Sequence, residues 1–256
     1  MIHFPPLRTR RLTAQLRELT IGDAIALAAM PPHLEESACT EFLRRAVASA
    51  QGIDNPARWT VQERMLAVCH YLAATANDGP DFSLGDGHYS DYLDGSTDIQ
   101  TSAPTLEVGE LGGDIWHVRH LTGAMAESIE RMAGEVPGVA GRLHWLLGAM
   151  AAQMVRAGES VPDASDGEGS FDEFLVARMQ IMAAFPESDF AALMELFFLG
   201  RDKLHHLFKT DFTSDGIVAL PKGGAAGDLP PARFPVSTCL SRVARELVGK
   251  PHGDGI

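Results

Sequence analysis

Leu16-Arg17-Glu18-Leu19-Thr20 runs into Ile21-Gly22-Asp23-Ala24-Ile25, and Val118-Arg119-His120-Leu121-Thr122 runs into Gly123-Ala124-Met125-Ala126-Glu127. Each stretch reads as a strand that turns through Leu-Thr into an alanine-containing helix. The threonine is the expected cap, because its hydroxyl can satisfy the free N–H groups of a first helical turn. Before the first corner, Leu12, Ala14 and Leu16 alternate with Thr13, Gln15 and Arg17, the period of a half-buried strand. Thr20 with Asp23 predicts a capping box for a short helix to about Ala29. Before the second corner, Leu106 and Val108, a glycine-rich turn over 109–114, and Ile115 to His120 predict a β-hairpin.

Helical patterns follow each corner. Leu34, Ala38, Phe42 and Ala46 form a stripe, with Glu35 and Glu36 near its start and Arg44 and Arg45 nearer its end, as a helix dipole prefers; this helix is expected to run to about Ala48. Thr60-Val61-Gln62-Glu63 is a second capping box with Trp59 as its staple, followed by Val61, Met65, Val68, Cys69 and Leu72 on one face. After Thr122 a helix is expected to about Ala133, then a stripe of Val139, Leu143, Leu146, Leu147, Met150 and Met154. Ser170-Phe171-Asp172-Glu173 reads as a third capping box, with Phe171, Phe174, Leu175, Met179 and Met182 lining its helix. A helix over Asp189–Phe208 is the most apolar segment and is expected to serve as core for both halves. The expected fold is mainly α with small β (α+β). It comprises two similar strand-then-three-helix units linked by an acidic loop and the hairpin. Internal duplication explains the repeated order; chance similarity of amphipathic helices is the alternative. The expected divisions are 1–76 for the first unit, 77–114 for the acidic aromatic loop and hairpin start, and 115–208 for the second unit. Residues 209–256 read as an irregular tail with a short helix, Ser237 to Val248, that docks back onto the domain or binds a partner.

The net charge is −13, and its distribution narrows the function. Residues 77–114 hold nine acidic and no basic side chains. Nucleic-acid binding is disfavoured, since phosphate contacts need clustered Lys and Arg; solubility or a basic protein partner fits better. Cys39, Cys69 and Cys239 are too scattered for a structural zinc or a disulfide framework and read as free thiols. The start from Met1 to Pro6 has no apolar signal segment. The longest apolar run, Leu143 to Val155, is too short to span a bilayer. No membrane association is expected, and the chain reads as cytosolic where it is made.

Catalytic patterns are weak throughout. His205-His206 with Asp202, and His117 with His120, bring metal-binding side chains together in sequence. Neighbouring histidines on a helix point about 100° apart, however, and no HExxH is present. Asp86, Asp91 and Asp94 lack the alternation and closing glutamate of a calcium loop. There is no GxSxG elbow, and Gly223 to Gly227 reads as a linker. Glu127 and Glu130, one turn apart, read as a solvated face. The expectation is therefore no enzyme, no catalytic residue, no metal and no cofactor, with a hydrolase using His117, His120 or His205 as a further alternative. The candidate working surface is the acidic loop. Phe82, Leu84, Tyr89, Tyr92 and Leu93 are its partner-binding residues, because aromatics in a glycine-rich loop suit a contact surface. The alternative is that they cover the apolar faces of neighbouring helices.

Leu19-Thr20-Ile21-Gly22-Asp23 after a strand, then Phe42-Leu43-Arg44, then Trp59-Thr60-Val61-Gln62-Glu63-Arg64, resembles the tail- and baseplate-assembly proteins of tailed bacteriophages, similar to the T4-type baseplate hub assembly family. Asp81 to Gly87 and Leu121 to Glu127 also look like prophage tail-region proteins. The resemblance covers roughly residues 12–155. It implies a non-enzymatic morphogenesis role: an assembly chaperone, or a permanent structural subunit, binding tail or baseplate proteins such as tape-measure or hub components. It further implies the bacterial host cytoplasm, or the virion tail, as the location, and leaves self-association open. It carries over no catalytic residues, and the acidic insertion and the C-terminal tail have no counterpart in it.

Overall fold

The computed structural model describes residues 2–75, 79–99, 105–166, 169–223 and 228–248. The start of the expected acidic loop at Asn77-Asp78, most of the expected linker over 223–227, and the end of the expected tail from Gly249 onward lie outside them. The first unit runs β1 (Leu7–Arg8), β2 (Leu12–Leu16), α1 (Ile21–Ala28), α2 (Glu35–Ala46), β3 (Val47–Gly52) and α3 (Val61–Thr75). Three two-residue strands follow: β4 (Ser83–Leu84), β5 (Gly87–His88) and β6 (Leu93–Asp94). The second unit runs β7 (Leu106–Leu111), β8 (Asp114–Val118), α4 (Gly123–Arg131), α5 (Gly141–Gln153), β9 (Met154–Arg156) and α6 (Ser170–Ala183). Then come α7 (Glu187–Lys203), β10 (Leu207–Thr213), β11 (Gly216–Leu220) and α8 (Arg242–Val248). The fold is mixed α+β, with small antiparallel sheets ordered β1-β2-β3, β7-β8-β9, β11-β10-β6 and β4-β5.

Both Leu-Thr corners form. Thr20 Oγ1 accepts the Asp23 N–H at 3.1 Å, and the Asp23 carboxylate accepts the Thr20 N–H at 3.0 Å. The Thr20 hydroxyl, donating to the same carboxylate at 2.7 Å, and the Thr20 N–H together hold the Asp23 carboxyl down at about 2. Thr122 Oγ1 accepts the Met125 N–H at 3.5 Å. The Thr60 box also closes, at 3.1 Å from the Glu63 N–H and 2.9 Å from the Thr60 N–H. The third box does not. Ser170 is already helical behind Gly169, whose φ of 120° suits glycine and which has no side chain to cap the helix. Asp172, in the first turn, grips Arg131 at 2.8 and 2.9 Å.

Two strands replace expected helix ends. α2 stops at Ala46 and α5 at Gln153, and each chain continues directly into a strand that returns to its corner. The Arg17 N–H donates to Ala46 O at 2.7 Å, and the Arg119 N–H to Gln153 O at 3.0 Å. Hairpin, helix, helix, returning strand and third helix thus occur in the same order over 7–75 and 106–183. Where an irregular tail was expected, β10 and β11 form a hairpin around Ser214-Asp215. Leu207, at φ 58°, turns the chain out of α7 into this hairpin.

Two apolar cores result. One gathers α4 to α7 with β7 to β9. The other gathers the first unit and is completed by Phe82, Tyr92, Phe208, Val236, Leu240 and Ala244 from later in the chain. The segment 189–208 does reach both cores, though not as one helix: α7 packs on β7 and β8 with Leu193 and Phe197 in the second core, and Leu207 and Phe208, beyond its end, join the first. α8 docks on α1, inserting Ala244.

The cores are joined at α3. Thr60 and Thr122 form an antiparallel bridge, with the Val61 N–H donating to Leu121 O at 3.0 Å and the Gly123 N–H to Trp59 O at 2.8 Å. One turn into α3, Arg64 is 1% exposed. Its guanidinium donates to Glu36 O at 2.5 Å and lies 3.5 Å from the Glu36 carboxylate and 3.4 Å from Glu127. Glu127 also accepts from Thr40. Glu130 accepts the Glu36 and Ser37 N–H groups at 2.8 and 3.1 Å. It thereby caps α2, whose own N-cap residue Leu34 supplies no side-chain bond. Glu127 and Glu130 are therefore an inter-unit clasp and not a solvated face. Arg64 reaches them only because residue 123 is glycine: a Cβ there would lie 2.6 Å from Arg64 Cζ and 2.8 Å from its Cδ.

Gly123→Ala should therefore cost about 2 kcal/mol or more in urea unfolding, through overpacking and displacement of a buried ion pair. Gly22→Ala, in α1 with its nearest neighbour at 3.8 Å, should be neutral or gain up to about 1 kcal/mol. Burial, reinforced by Glu130 and Glu127 against the pull of Arg64, pushes the Glu36 carboxyl up to about 7. A carboxyl raised in the folded state loses stability as pH climbs from its unfolded value through its folded one. Relative to wild type, Glu36→Gln should gain stability between pH 4.5 and about 7, by up to about 1.4 kcal/mol per pH unit, read from urea curves at each pH.

Candidate functional site

The five loop residues expected to present a contact surface turn inward. Phe82 is 5% and Tyr92 1% exposed, and Leu84, Tyr89 and Leu93 are half-buried against the first core. Phe82 and Tyr89 stack at 5.2 Å, Tyr89 reaches Phe208, and the Tyr92 hydroxyl donates to Pro230 O at 2.7 Å. Phe82 and Tyr92 are core side chains of the first unit's cluster. The acidic residues of the loop build its turns: Asp81 accepts from Ser90, Asp91 from the His88 N–H and Asp94 from Ser96.

An open cleft of 520 Å³ lies between the units instead, within the usual range for ligand sites. α3 contributes Gln62, the second corner His120, and opposite ends of α5 Arg142 and Gln153. The end of α7 adds Arg201 and Asp202, and β10 adds Lys209 to Asp211. Gln153 is 4% exposed; its Nε2 donates to Arg119 O at 2.7 Å, which fixes the amide and leaves Oε1 without a partner among the described residues. Among those residues Gln62 Oε1 and His120 Nε2 are likewise buried and unpartnered. Burying such acceptors has a cost unless something donates to them.

The histidines of this region are not on a helix. His205 and His206 follow the end of α7, and the His206 ring stands perpendicular to His120 at 4.9 Å. His206 Nδ1 must donate to Leu204 O, 3.1 Å away, so its Nε2 accepts the Thr60 hydroxyl at 2.9 Å. Burial drives the His120 and His206 pKa values down to about 3 and about 4, so both rings are neutral near pH 7. Arg201 lies 4.6 Å over the Phe212 ring and donates to Thr210 O and Oγ1 at 2.9 and 3.1 Å; burial lowers its pKa. It has no ion pair among the described residues. Among those residues no group of three His, Cys, Asp or Glu is placed to hold a metal. The cleft offers acceptors on its floor and cations at its rim, which suits a bound group with N–H donors and negative charge.

A second exposed feature lies elsewhere. Ile21 and Ile25 on α1 are 52% and 38% exposed, and Val243 and Leu247 on α8 are 56% and 63% exposed. Each pair is spaced by four, so each lies on one helix face, and the two helices pack together. A groove of 480 Å³ runs beside Ile21, between the first corner and residues 238–241. The cleft was not anticipated, because Gln62, Gln153 and Arg201 are single polar residues on three separate helices; of the second feature, the docking of the C-terminal helix was expected and its exposed face with α1 was not. No helix of the described residues is long and apolar enough to cross a membrane. Comparison with protein-family models, with curated proteins and with solved structures finds no match for this chain.

Proposed function

We propose that the chain is a non-enzymatic assembly factor of a bacteriophage or prophage tail or baseplate, acting by protein–protein binding as an assembly chaperone. The carrying observation is the α1–α8 face, where four large aliphatic side chains stay in solvent on two packed helices. Exposed aliphatic side chains paired in this way on neighbouring helices are read as one interaction surface, since contiguous exposed apolar area marks such sites. Tail or baseplate proteins, with tape-measure and hub components foremost, are the proposed partners, and the host cytoplasm is the proposed place of action. The residues behind the phage resemblance are fold-making ones: Thr20 with Asp23, and Thr60 with Glu63, are the caps that set two of the three helices of the first unit. The repeated element order supports a further part of the proposal, that the two units descend from one duplicated segment.

Co-expression with the neighbouring tail genes, followed by affinity purification, tests this reading. The wild-type chain should co-purify with a tail or baseplate protein. The pair Ile25→Asp and Val243→Asp should abolish that, while unfolding free energy changes by less than about 0.5 kcal/mol per exposed site. Retention of partner by the double variant would remove the face from the proposal. Mass spectrometry of mature particles separates the two roles: absence fits a chaperone, and fixed stoichiometry makes the chain a permanent structural subunit instead.

A further inference from the structure

The cleft between the units has a backbone edge along one wall. β10 and β11 close over the two-residue turn Ser214-Asp215, with Thr213 opposite Gly216. Antiparallel ladders alternate, so Thr213, Asp211 and Lys209 bond to β11 while Thr210 and Phe212 direct their backbone groups to the other edge. On that other edge β6 pairs only with Leu207 and Phe208 and then ends. Among the described residues the groups beyond it bond to side chains, the Phe212 N–H to the Asp211 carboxylate at 2.8 Å. Arg201 donates to Thr210 O and Arg142 Nε to Phe212 O, both at 2.9 Å. The register leaves the Thr210 N–H without a bond to β11.

We propose that this cleft is a strand-addition site: a short extended segment of a partner protein, carrying an acidic side chain, lies along α5 and pairs with the Thr210–Phe212 edge of β10. Arg142 and Gln153 line the cleft from opposite ends of α5. They are eleven residues apart, roughly 16 Å of helix, the length of about five extended residues. The added strand takes up the edge where β6 leaves it, supplying main-chain hydrogen bonds as strand addition does generally. Its outward N–H groups meet Gln153 Oε1 and Gln62 Oε1, the buried acceptors that lack donors. Once the edge carbonyls are paired, Arg201 is free for a carboxylate, and the exposed Lys209 stands beside it. Asp202 and Asp211 also line the cleft, and Asp211 lies 3.5 Å from Arg142. Three cations against two carboxylates still make this wall positive in a chain of net charge −13. The site shares no residue with the α1–α8 face and stands or falls independently of it.

The test is amide NMR of the full chain with three blocked five-residue peptides: one alternating valine and aspartate, one alternating valine and lysine, and the aspartate peptide N-methylated on alternate backbone nitrogens. The aspartate peptide should saturably shift the Thr210 and Phe212 amides and slow Thr210 hydrogen exchange. The lysine peptide should bind roughly tenfold more weakly, and N-methylation should remove the effect. Lys209→Glu, on an exposed side chain, should weaken the aspartate peptide several-fold and leave the fold unchanged. Absence of shifts at Thr210 and Phe212 at millimolar peptide, equal binding of the acidic and basic peptides, or undiminished binding of the N-methylated one would each overturn the proposal.

Discussion

Arg64 is the constraint on which the arrangement of the two units depends. A guanidinium removed from water is stable only where carboxylates and carbonyls replace the lost hydration. Here Glu36, on the first unit, and Glu127, on the second, must approach from opposite sides, and Gly123 must leave room for the side chain to pass. Few relative placements of the units satisfy all three demands. Removing the Arg64 cation would leave Glu36, Glu127 and Glu130 facing one another without compensation, which typically costs about 3–5 kcal/mol. The clasp also explains the missing cap on α2, since Glu130 of the other unit supplies it.

α3 divides this sealed side from the open one. Gln62 and Arg64 are two positions apart, about 200° around a helix. One faces the cleft and the other the charged clasp. Between them, Thr60 serves several partners at once: its hydroxyl accepts from Glu63 and donates to His206, and its backbone joins the bridge to Thr122. A cap that began as local chemistry has become the junction of the molecule.

The local elements were largely legible in the sequence. Three threonine caps, the first strand, the β7–β8 hairpin and most helices follow from periodicity and capping, which act within a few residues. The failures share a cause. β3 and β9 are continuous with the helices before them, and their few residues carry too little alternation to break a helical reading. The β10–β11 hairpin had a Ser-Asp-Gly signal that was outweighed by the glycines and prolines beyond it. Glu127 and Glu130 were placed in solvent, and Phe82 and Tyr92 were left between a contact surface and a cover over the helices, because most of their partners are tens of residues away, where sequence spacing carries no information. The cleft and the α1–α8 face are likewise products of tertiary packing alone.

The composition of the two cores gives synthesis a direction. Apart from Val61, the second core is drawn from residues 108–217, an unbroken run of chain. The first core waits for Leu207, Phe208, Ala219, Val236, Leu240 and Ala244. A ribosome therefore releases the N-terminal unit long before its last wall exists. Long-range closure of this kind slows folding, and the apolar underside of α3 stays uncovered until the final quarter of the chain emerges. The later-made half is the one able to fold first, and the earlier-made half completes itself upon it.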